Sequence, residues 1–372
     1  MEKVLSYAMA GGAEGSFIGP VHRMAVGMDG LAVLAAGAFS RSPERNAATG
    51  AALGINPGRV YPSWREMIAG EKGKVDFISV CTPNSSHFEI TRAALEAGFD
   101  VMCEKPVSLT AAEAEELSRI ARRGGRIVAV PFTYTGFPMV KLAKDLVAAG
   151  EIGRIAKISV EYHQGSFRKL SAENARRTAW KMDPAVSGRS CVTADIGVHG
   201  FELVEYVSGL KVEKVLADVS SFVHEAGLDD DAAVLMRLEG GAKAVLSVSK
   251  IAAGEENGLR IRFYGEKGSL FWDQENPNSL VARYPLAPDR VYRRKGPLVS
   301  DISPLAAAAV RTPAGHNEGF IEAFANIYRN FCRSVVSRKA GDFPTVEDGA
   351  RAMRFVEAVL DSGENGNIWM KV

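Results

Sequence analysis

Asp195 and His199 stand four residues apart in residues 193–207, a run that reads as a helix ending before Gly209. Residues i and i+4 share a helix face, so a carboxylate and an imidazole lie side by side. That pair suits the oxidation of an alcohol. A base must take the hydroxyl proton as hydride leaves the same carbon; an imidazole titrates in the right range, and a carboxylate orients and tunes it. Lys105 adds a third group, since an ammonium near the substrate oxygen stabilises a developing alkoxide. On composition alone, a surface ion pair is the better reading of Asp195 and His199. Lys105, in a loop before Pro106, likewise reads alone as a solvated lysine.

A second stretch, Gly11-Gly12-Ala13-Glu14-Gly15-Ser16-Phe17-Ile18-Gly19, follows the first apolar run and opens a helical pattern. A dinucleotide loop needs glycines for a tight turn and for close approach to the pyrophosphate, which then rests on a helix N-terminus. Counted from Gly11, G-x-G-x-x-G is met only in part, with Ala13 and Ser16 at the second and third glycine positions. Its place at the start of a βαβ unit strengthens it. Gly11, Gly12, Gly15, Ser16, Phe17 and Ile18 are the candidate cofactor contacts. An acid at the end of the second strand would hold the ribose 2′-OH of NAD. This chain has Ser40 and Arg41 there, with Arg45 close by. Arg41 or Arg45 meeting a 2′-phosphate implies NADP, whereas Ser40 alone on the ribose allows NAD, so both stay open.

These groups must be positioned by elements, and the first third alternates strand and helix. Apolar runs at 4–10, 31–39, 75–81, 100–103 and 127–130 read as strands. Helical patterns fall at 18–28, 43–53, 86–97 and 110–123, the last with Thr110 and Glu113 as a capping box. Such alternation implies a doubly wound parallel sheet whose ligands sit at the carboxyl ends of its strands. Beyond residue 132 the pattern changes. A helix over 136–149 precedes short runs at 155–163, 212–224, 232–238, 242–249, 259–263 and 269–272, with Gly240-Gly241 as a hairpin signal. The expected fold is therefore α/β. An N-terminal Rossmann domain (1–132) is followed by a C-terminal α+β domain (133–372) with a large, mainly antiparallel open sheet. One sheet face needs a cover of helices or another subunit. Residues 227–231 read as a solvated acidic turn, and 276–294 and 297–313 as irregular loops. Helices are expected over 320–336 and 346–360.

The 372 residues carry 45 Lys+Arg against 44 Asp+Glu. Without a basic excess, nucleic acid is not the expected partner. No apolar run reaches the ~18 residues that span a bilayer, so no membrane is expected. Ala8-Met9-Ala10 looks like a leader cleavage site, but the run before it is short and carries one basic residue, Lys3, so it reads as strand. Cys81, Cys103, Cys191 and Cys332 are scattered, with no metal-ligand spacing. No metal is expected, and the thiols suit a reducing cytoplasm.

Several segments together resemble the Gfo/Idh/MocA oxidoreductases. Glu104-Lys105-Pro106 is similar to that family's EKP signature, and Thr82-Pro83-Asn84 with His87 to its TPNxxH stretch. Residues 17–23, Ala179-Trp180-Lys181-Met182-Asp183-Pro184, Asp195-Ile196-Gly197-Val198-His199, and Gly315-His316-Asn317-Glu318-Gly319 with 323–328 resemble segments of one of its branches. The resemblance covers essentially the whole chain; Ala13, where the branch often has glycine, departs from it. It implies NAD or NADP as cofactor and Lys105, Asp195 and His199 as the catalytic group, reversing the bland readings above. It also implies Thr82, Pro83, Asn84, His87, Glu104 and Lys105 at the cofactor, and a homo-oligomer, dimer or tetramer, built on the open sheet. The implied activity is hydride transfer between nicotinamide and a ring carbinol of an inositol, monosaccharide, anhydrosugar or glycoside. Two other classes are a redox-cycling glycoside-processing enzyme that retains its NAD and a non-enzymatic NAD(P) sensor, which need not keep the catalytic set. Tyr134, Trp180, Lys181 and His316 join Lys105, Asp195 and His199 as candidate substrate contacts. His22 and His87 are expected to support the nucleotide fold, and His163 and His224 to be structural.

Overall fold

Two compact units make up the computed structural model, which describes residues 3–167, 179–223 and 228–372. One unit contains residues 1–131 and 324–350; the other contains 132–323 and 351–372.

In the first unit the apolar runs form five parallel strands: β1 (Leu5–Gly11), β2 (Ala32–Ala38), β3 (Phe77–Cys81), β4 (Asp100–Cys103) and β5 (Val128–Ala129). Their order is β2-β1-β3-β4-β5. Every residue of β3 is buried, as expected where helices cover both faces of a parallel sheet. The connecting helices are α1 (Ile18–Gly27), α2 (Pro43–Ala52), α3 (Trp64–Glu71), α4 (His87–Glu96) and α5 (Ala111–Gly124). Ser42 caps α2, and Thr110 and Glu113 form the capping box of α5. No periodic signal in the sequence marks α3, because it is two turns long, capped by Ser63, and turns only Met67, Ile68 and Glu71 inward. Tyr7 stacks on Phe77 at 5.1 Å, and Phe331 meets the edge of Phe77 at 5.1 Å, so the 324–350 segment completes this core.

The second unit carries β6 (Ile155–His163), β7 (Val212–Ser220), β8 (Asp231–Leu238), β9 (Lys243–Ser249), β10 (Gly258–Gly265), β11 (Ser269–Asp273), β12 (Ser279–Tyr284), β13 (Ala287–Arg293) and β14 (Met370–Lys371). They make one sheet in the order β13-β12-β11-β10-β6-β9-β8-β7-β14. Among the described strands of this second sheet, only the β6–β9 pair is parallel. Along β8, Ala232, Val234, Met236 and Leu238 are buried while Ala233 and Leu235 are exposed, the alternation of a sheet with one covered face. Helices α6 (Pro138–Ala148) and α7 (Val198–Ser208) belong to this unit. The chain closes with α8 (Phe320–Ser337) and α9 (Val346–Glu364), and Phe201 of α7 stacks on Phe355 of α9 at 4.5 Å.

Two expectations are corrected here. Residues 276–294 are not an irregular loop: β12 and β13 pair as a hairpin, joined across Tyr284 and Ala287. Their charged outward positions hide the alternation. Residues 299–302 and 304–308 are short helices. The acidic stretch is no solvated turn either, because Asp229 and Asp230 are buried and accept backbone N–H bonds. Residues 224–227, and with them His224, lie outside the described residues.

Candidate active site

Strand order in the first sheet reverses between β1 and β3, which places the ligand crevice at their carboxyl ends. Gly11 ends β1 at φ 82°, and a Cβ there would lie 2.6 Å from the Cys81 carbonyl oxygen. Only glycine fits both demands. A Cβ on Gly19 would lie 2.4 Å from the Cα of Gly12. Gly19, not Ser16, thus performs the close helix-to-loop packing of the third glycine in the fingerprint. It stands at the second residue of α1, where its signal was a glycine inside a helix start. Phe17 precedes α1 without a side-chain cap, which leaves the helix's first N–H groups for an anion. Ser16 Oγ is buried in the same turn with no hydrogen-bond partner. A polar atom so placed, beside uncapped N–H groups, fits a bound pyrophosphate. Ala13 is buried, Ile18 half-buried and Phe17 exposed.

At the end of β2, Ser40 is half-buried and Arg41 exposed. Asn46, which belongs to no motif in the sequence, fixes this corner. Its Oδ1 accepts from the Phe39 amide at 2.7 Å, and its Nδ2 donates to the Tyr61 carbonyl at 2.9 Å. The Arg45 guanidinium donates to the carbonyl of Glu14, from Nε at 3.1 Å. It therefore borders the phosphate loop.

Thr82, Pro83 and Asn84 form the loop after β3, leading into a short helical turn. Buried His87 ties this loop to the next: Nδ1 lies 2.7 Å from the Pro106 carbonyl and Nε2 2.7 Å from that of Thr82. Burial holds its pKa below the ordinary imidazole value. Glu104 is buried and its carboxylate accepts from His22 Nε2 at 2.9 Å and from the Lys105 amide at 3.0 Å. Behind it, His22 Nδ1 is 2.5 Å from the hydroxyl of Tyr328. Burial opposes charge on His22, but Cys81 and the Glu104 carboxylate outweigh it and push the imidazole up to about 10. Burial also works against the Glu104 carboxylate, yet His22 and Lys105 hold it below the ordinary value. The result is a buried imidazolium–carboxylate pair under the backbone of half-buried Lys105.

The second unit builds its own cluster. Asp229 accepts from the amide of Thr193 at 2.9 Å and its hydroxyl at 2.6 Å, from Ser190 Oγ at 3.0 Å and from the Cys191 amide at 2.5 Å. It holds the start of a π-helical turn, Thr193–Gly197, which runs directly into α7. The expected α-helix is thus wider by one residue per turn across Asp195, a distortion often found at functional sites. Asp195 Oδ2 accepts from Lys181 Nζ at 2.7 Å and from Lys250 Nζ at 2.6 Å. Lys250 belongs to no motif in the sequence. His199 is buried among aromatic edges, with ring centroids of Tyr134 at 4.9 Å, Phe132 at 5.8 Å and Tyr162 at 6.3 Å. Tyr134 is itself buried, its hydroxyl meeting Tyr162 and accepting from Asn257 at 3.1 Å. Burial pushes the pKa of Tyr134 up. Trp180 is partly exposed beneath Lys181, whose Nζ is 5.7 Å from the ring centroid. His316 is exposed, in a loop fastened by buried Glu318, which accepts from the Arg311 amide at 2.6 Å. His163 bonds Ser247 within the sheet at 2.9 Å. No group of three or more His, Cys, Asp or Glu among the described residues could hold a metal ion. The four cysteines are free and buried.

A doubly wound sheet with a glycine phosphate loop, followed by a sheet domain bearing a Lys-Asp-Lys cluster and a buried histidine, defines a dinucleotide-dependent oxidoreductase. Residues 5–132 match the oxidoreductase family with an NAD-binding Rossmann fold, and residues 140–271 match the GFO/IDH/MocA C-terminal domain. An uncharacterized oxidoreductase of Bacillus subtilis is 33% identical over 100% of this chain and 98% of its own. An inositol dehydrogenase homolog of Azotobacter vinelandii, solved with NADH and myo-inositol, is 33% identical, with TM-score 0.92 over 100% of this chain and 98% of that one. A levoglucosan dehydrogenase of Pseudarthrobacter phenanthrenivorans is 26% identical over 62% of this chain and 63% of its own. The chain belongs to the Gfo/Idh/MocA oxidoreductase family, and its first unit carries that family's NAD-binding Rossmann fold.

Proposed function

We propose that this enzyme oxidises a ring carbinol of a sugar or cyclic polyol, with NAD or NADP as hydride acceptor. The observation that carries the reading is Asp195, held by two ammonium groups in a π turn that leads into the helix bearing buried His199. Relatives named for myo-inositol and levoglucosan support the substrate class. The nicotinamide supplies the hydride acceptor. His199 takes the hydroxyl proton, and the aromatic wall of Phe132, Tyr134 and Tyr162 keeps that base from water. Asp195 remains ionised and stabilises the imidazolium so formed. Lys105 lowers the energy of the developing alkoxide, and the Glu104–His22 pair fixes the backbone that carries it. Lys181, Trp180 and His316 are assigned to the sugar, whose hydroxyls need several fixed polar groups. Gly11, Gly12, Gly15, Ser16, Ser40, Arg41, Arg45, Thr82, Pro83 and Asn84 are assigned to the dinucleotide.

The test is a panel of inositols, monosaccharides, anhydrosugars and glycosides, with NAD and NADP in parallel. Stoichiometric NAD(P)H from a free polyol or sugar is the expected result. Glycoside cleavage without net cofactor reduction would replace this reading with redox-cycling glycoside chemistry; cofactor binding with no turnover of any member would favour a sensor. We further propose a homo-oligomer, dimer or tetramer, through the open sheet face, where Leu235, Val245 and Tyr264 are exposed. A monomeric mass in sedimentation equilibrium would refute it. Free buried thiols suit a reducing cytoplasm. No helix among the described residues is long and apolar enough to cross a membrane.

A further inference from the structure

We infer that Lys250 is a positioning residue: its ammonium anchors the Asp195 carboxylate from the protein interior, in one rotamer and in the charged form. The inference rests on the assignment of Asp195 and His199 to proton transfer.

Lys250 follows the last residue of β9. Its backbone is fixed on both sides, the amide donating to the Asp230 carbonyl at 2.8 Å and the carbonyl accepting from the Phe167 amide at 3.0 Å. The side chain is 2% exposed. Its Nζ meets Asp195 Oδ2 at 2.6 Å, with Cys191 Sγ at 3.6 Å and the Phe167 ring centroid at 5.1 Å. Burial disfavours its charge, but Asp195 and Cys191 hold the ammonium above its ordinary pKa.

Burying an ammonium costs several kcal/mol, and an apolar side chain of similar volume is often neutral or stabilising at such a place. A methionine would fill the space beside Phe167 and Cys191 without that cost. Packing therefore gives no reason for a lysine here, whereas a need for fixed charge at Asp195 does.

Lys181 binds the same oxygen, but it is 31% exposed and comes from a short helical segment, Ala179–Met182. A long, partly exposed lysine holds its partner less firmly than a buried one, because ordering it costs entropy and solvent screens it. Sugar hydroxyls can compete for it. Lys250 has no such freedom. With Oδ2 held from within, Asp195 keeps its charge and direction when Lys181 turns to a substrate, and the imidazolium formed at His199 keeps its counter-charge.

The test uses the full chain and the variants Lys250→Met, Lys250→Arg, Asp195→Asn and Asp195→Asn/Lys250→Met. In urea unfolding without substrate, Asp195→Asn should lower the midpoint by stranding a buried ammonium, and the double variant should regain most of the loss. Additive effects would overturn the pairing. On whichever panel member the wild type oxidises, Lys250→Met should lower kcat by about tenfold or more, with KM and NADH affinity within about twofold. Lys250→Arg should recover part of that kcat and carries the test if the methionine variant does not fold. Unchanged kcat in a folded Lys250→Met would overturn the positioning role. If the wild type oxidises no panel member, the function proposed above fails, while the unfolding cycle still decides the pairing.

Discussion

The phosphate loop of the first unit and the Asp195 cluster of the second solve the same problem, fixing polar atoms for a ligand, by opposite means. At Gly11, Gly12 and Gly19 the device is backbone: missing side chains let two segments touch and leave helix N–H groups open. At Asp195 the device is side-chain charge, with two lysines on one oxygen and Asp229 pinning the turn beneath. A backbone device tolerates no added atom but little depends on its charge. A charge device tolerates changes of shape but fails when one charge is removed, because Lys250 stays buried.

The comparison is tested most severely at His199. Replacing it with Ala should lower turnover by about 10²–10⁴-fold while NADH titrations remain at the wild-type affinity. Full turnover in His199→Ala would remove the second region from the chemistry. Next comes the charge pair inside the first unit. The ordinary imidazole value of 6.5 is raised to about 10 in His22, so its contribution is complete below 6.5 and is lost as pH rises through about 10. Glu104 lies below its ordinary 4.5, so its contribution holds above that value. His22→Gln should therefore cost about 3–5 kcal/mol in urea unfolding near pH 6, with a gap to wild type that narrows toward about pH 10. A gap that stays constant or widens with pH would contradict a charged His22.

Gly19→Ala tests the backbone device. Its methyl would press on the Gly12 backbone, costing about 1–3 kcal/mol of overpacking and weakening NADH binding about tenfold; unchanged affinity would show that the close contact is not needed. The smallest effect is expected at Arg41 and Arg45. Their replacement by Ala should weaken NADP by up to about tenfold and leave NAD unaltered if either meets a 2′-phosphate. Equal losses for both cofactors would instead assign Arg45 to the Glu14 carbonyl alone.

The two regions also differ in how legible they were. Strands β1 to β4 appear in the sequence because a doubly covered strand must be a continuous apolar run. Their carboxyl ends then locate Gly11, Thr82 and Glu104 without any coordinates. Hairpin signals located β8 and β9 in the same way. Asp229, Lys250 and Asn257 could not be found so. An aspartate in an acidic run and a lysine after a strand look like surface residues, and only tertiary contact reveals that they are buried and bonded. The π turn is equally silent, since the residues of 193–197 suit an α-helix as well. His22 and Tyr328 are 306 residues apart in sequence, and no periodicity links them.

Phe324–Ala350 completes the core of the first unit, with Phe324 and Tyr328 against the His22 ring at 4.8 and 5.7 Å. This has a consequence for biosynthesis. When the ribosome has released the five parallel strands, Phe77 still lacks Phe331, and His22 still lacks Phe324 and the hydroxyl of Tyr328. The nucleotide-binding unit must wait through some two hundred further residues, roughly ten to forty seconds of synthesis at typical rates, before its last layer arrives. A fragment ending at residue 131 should therefore be aggregation-prone, although it holds all five strands of the sheet.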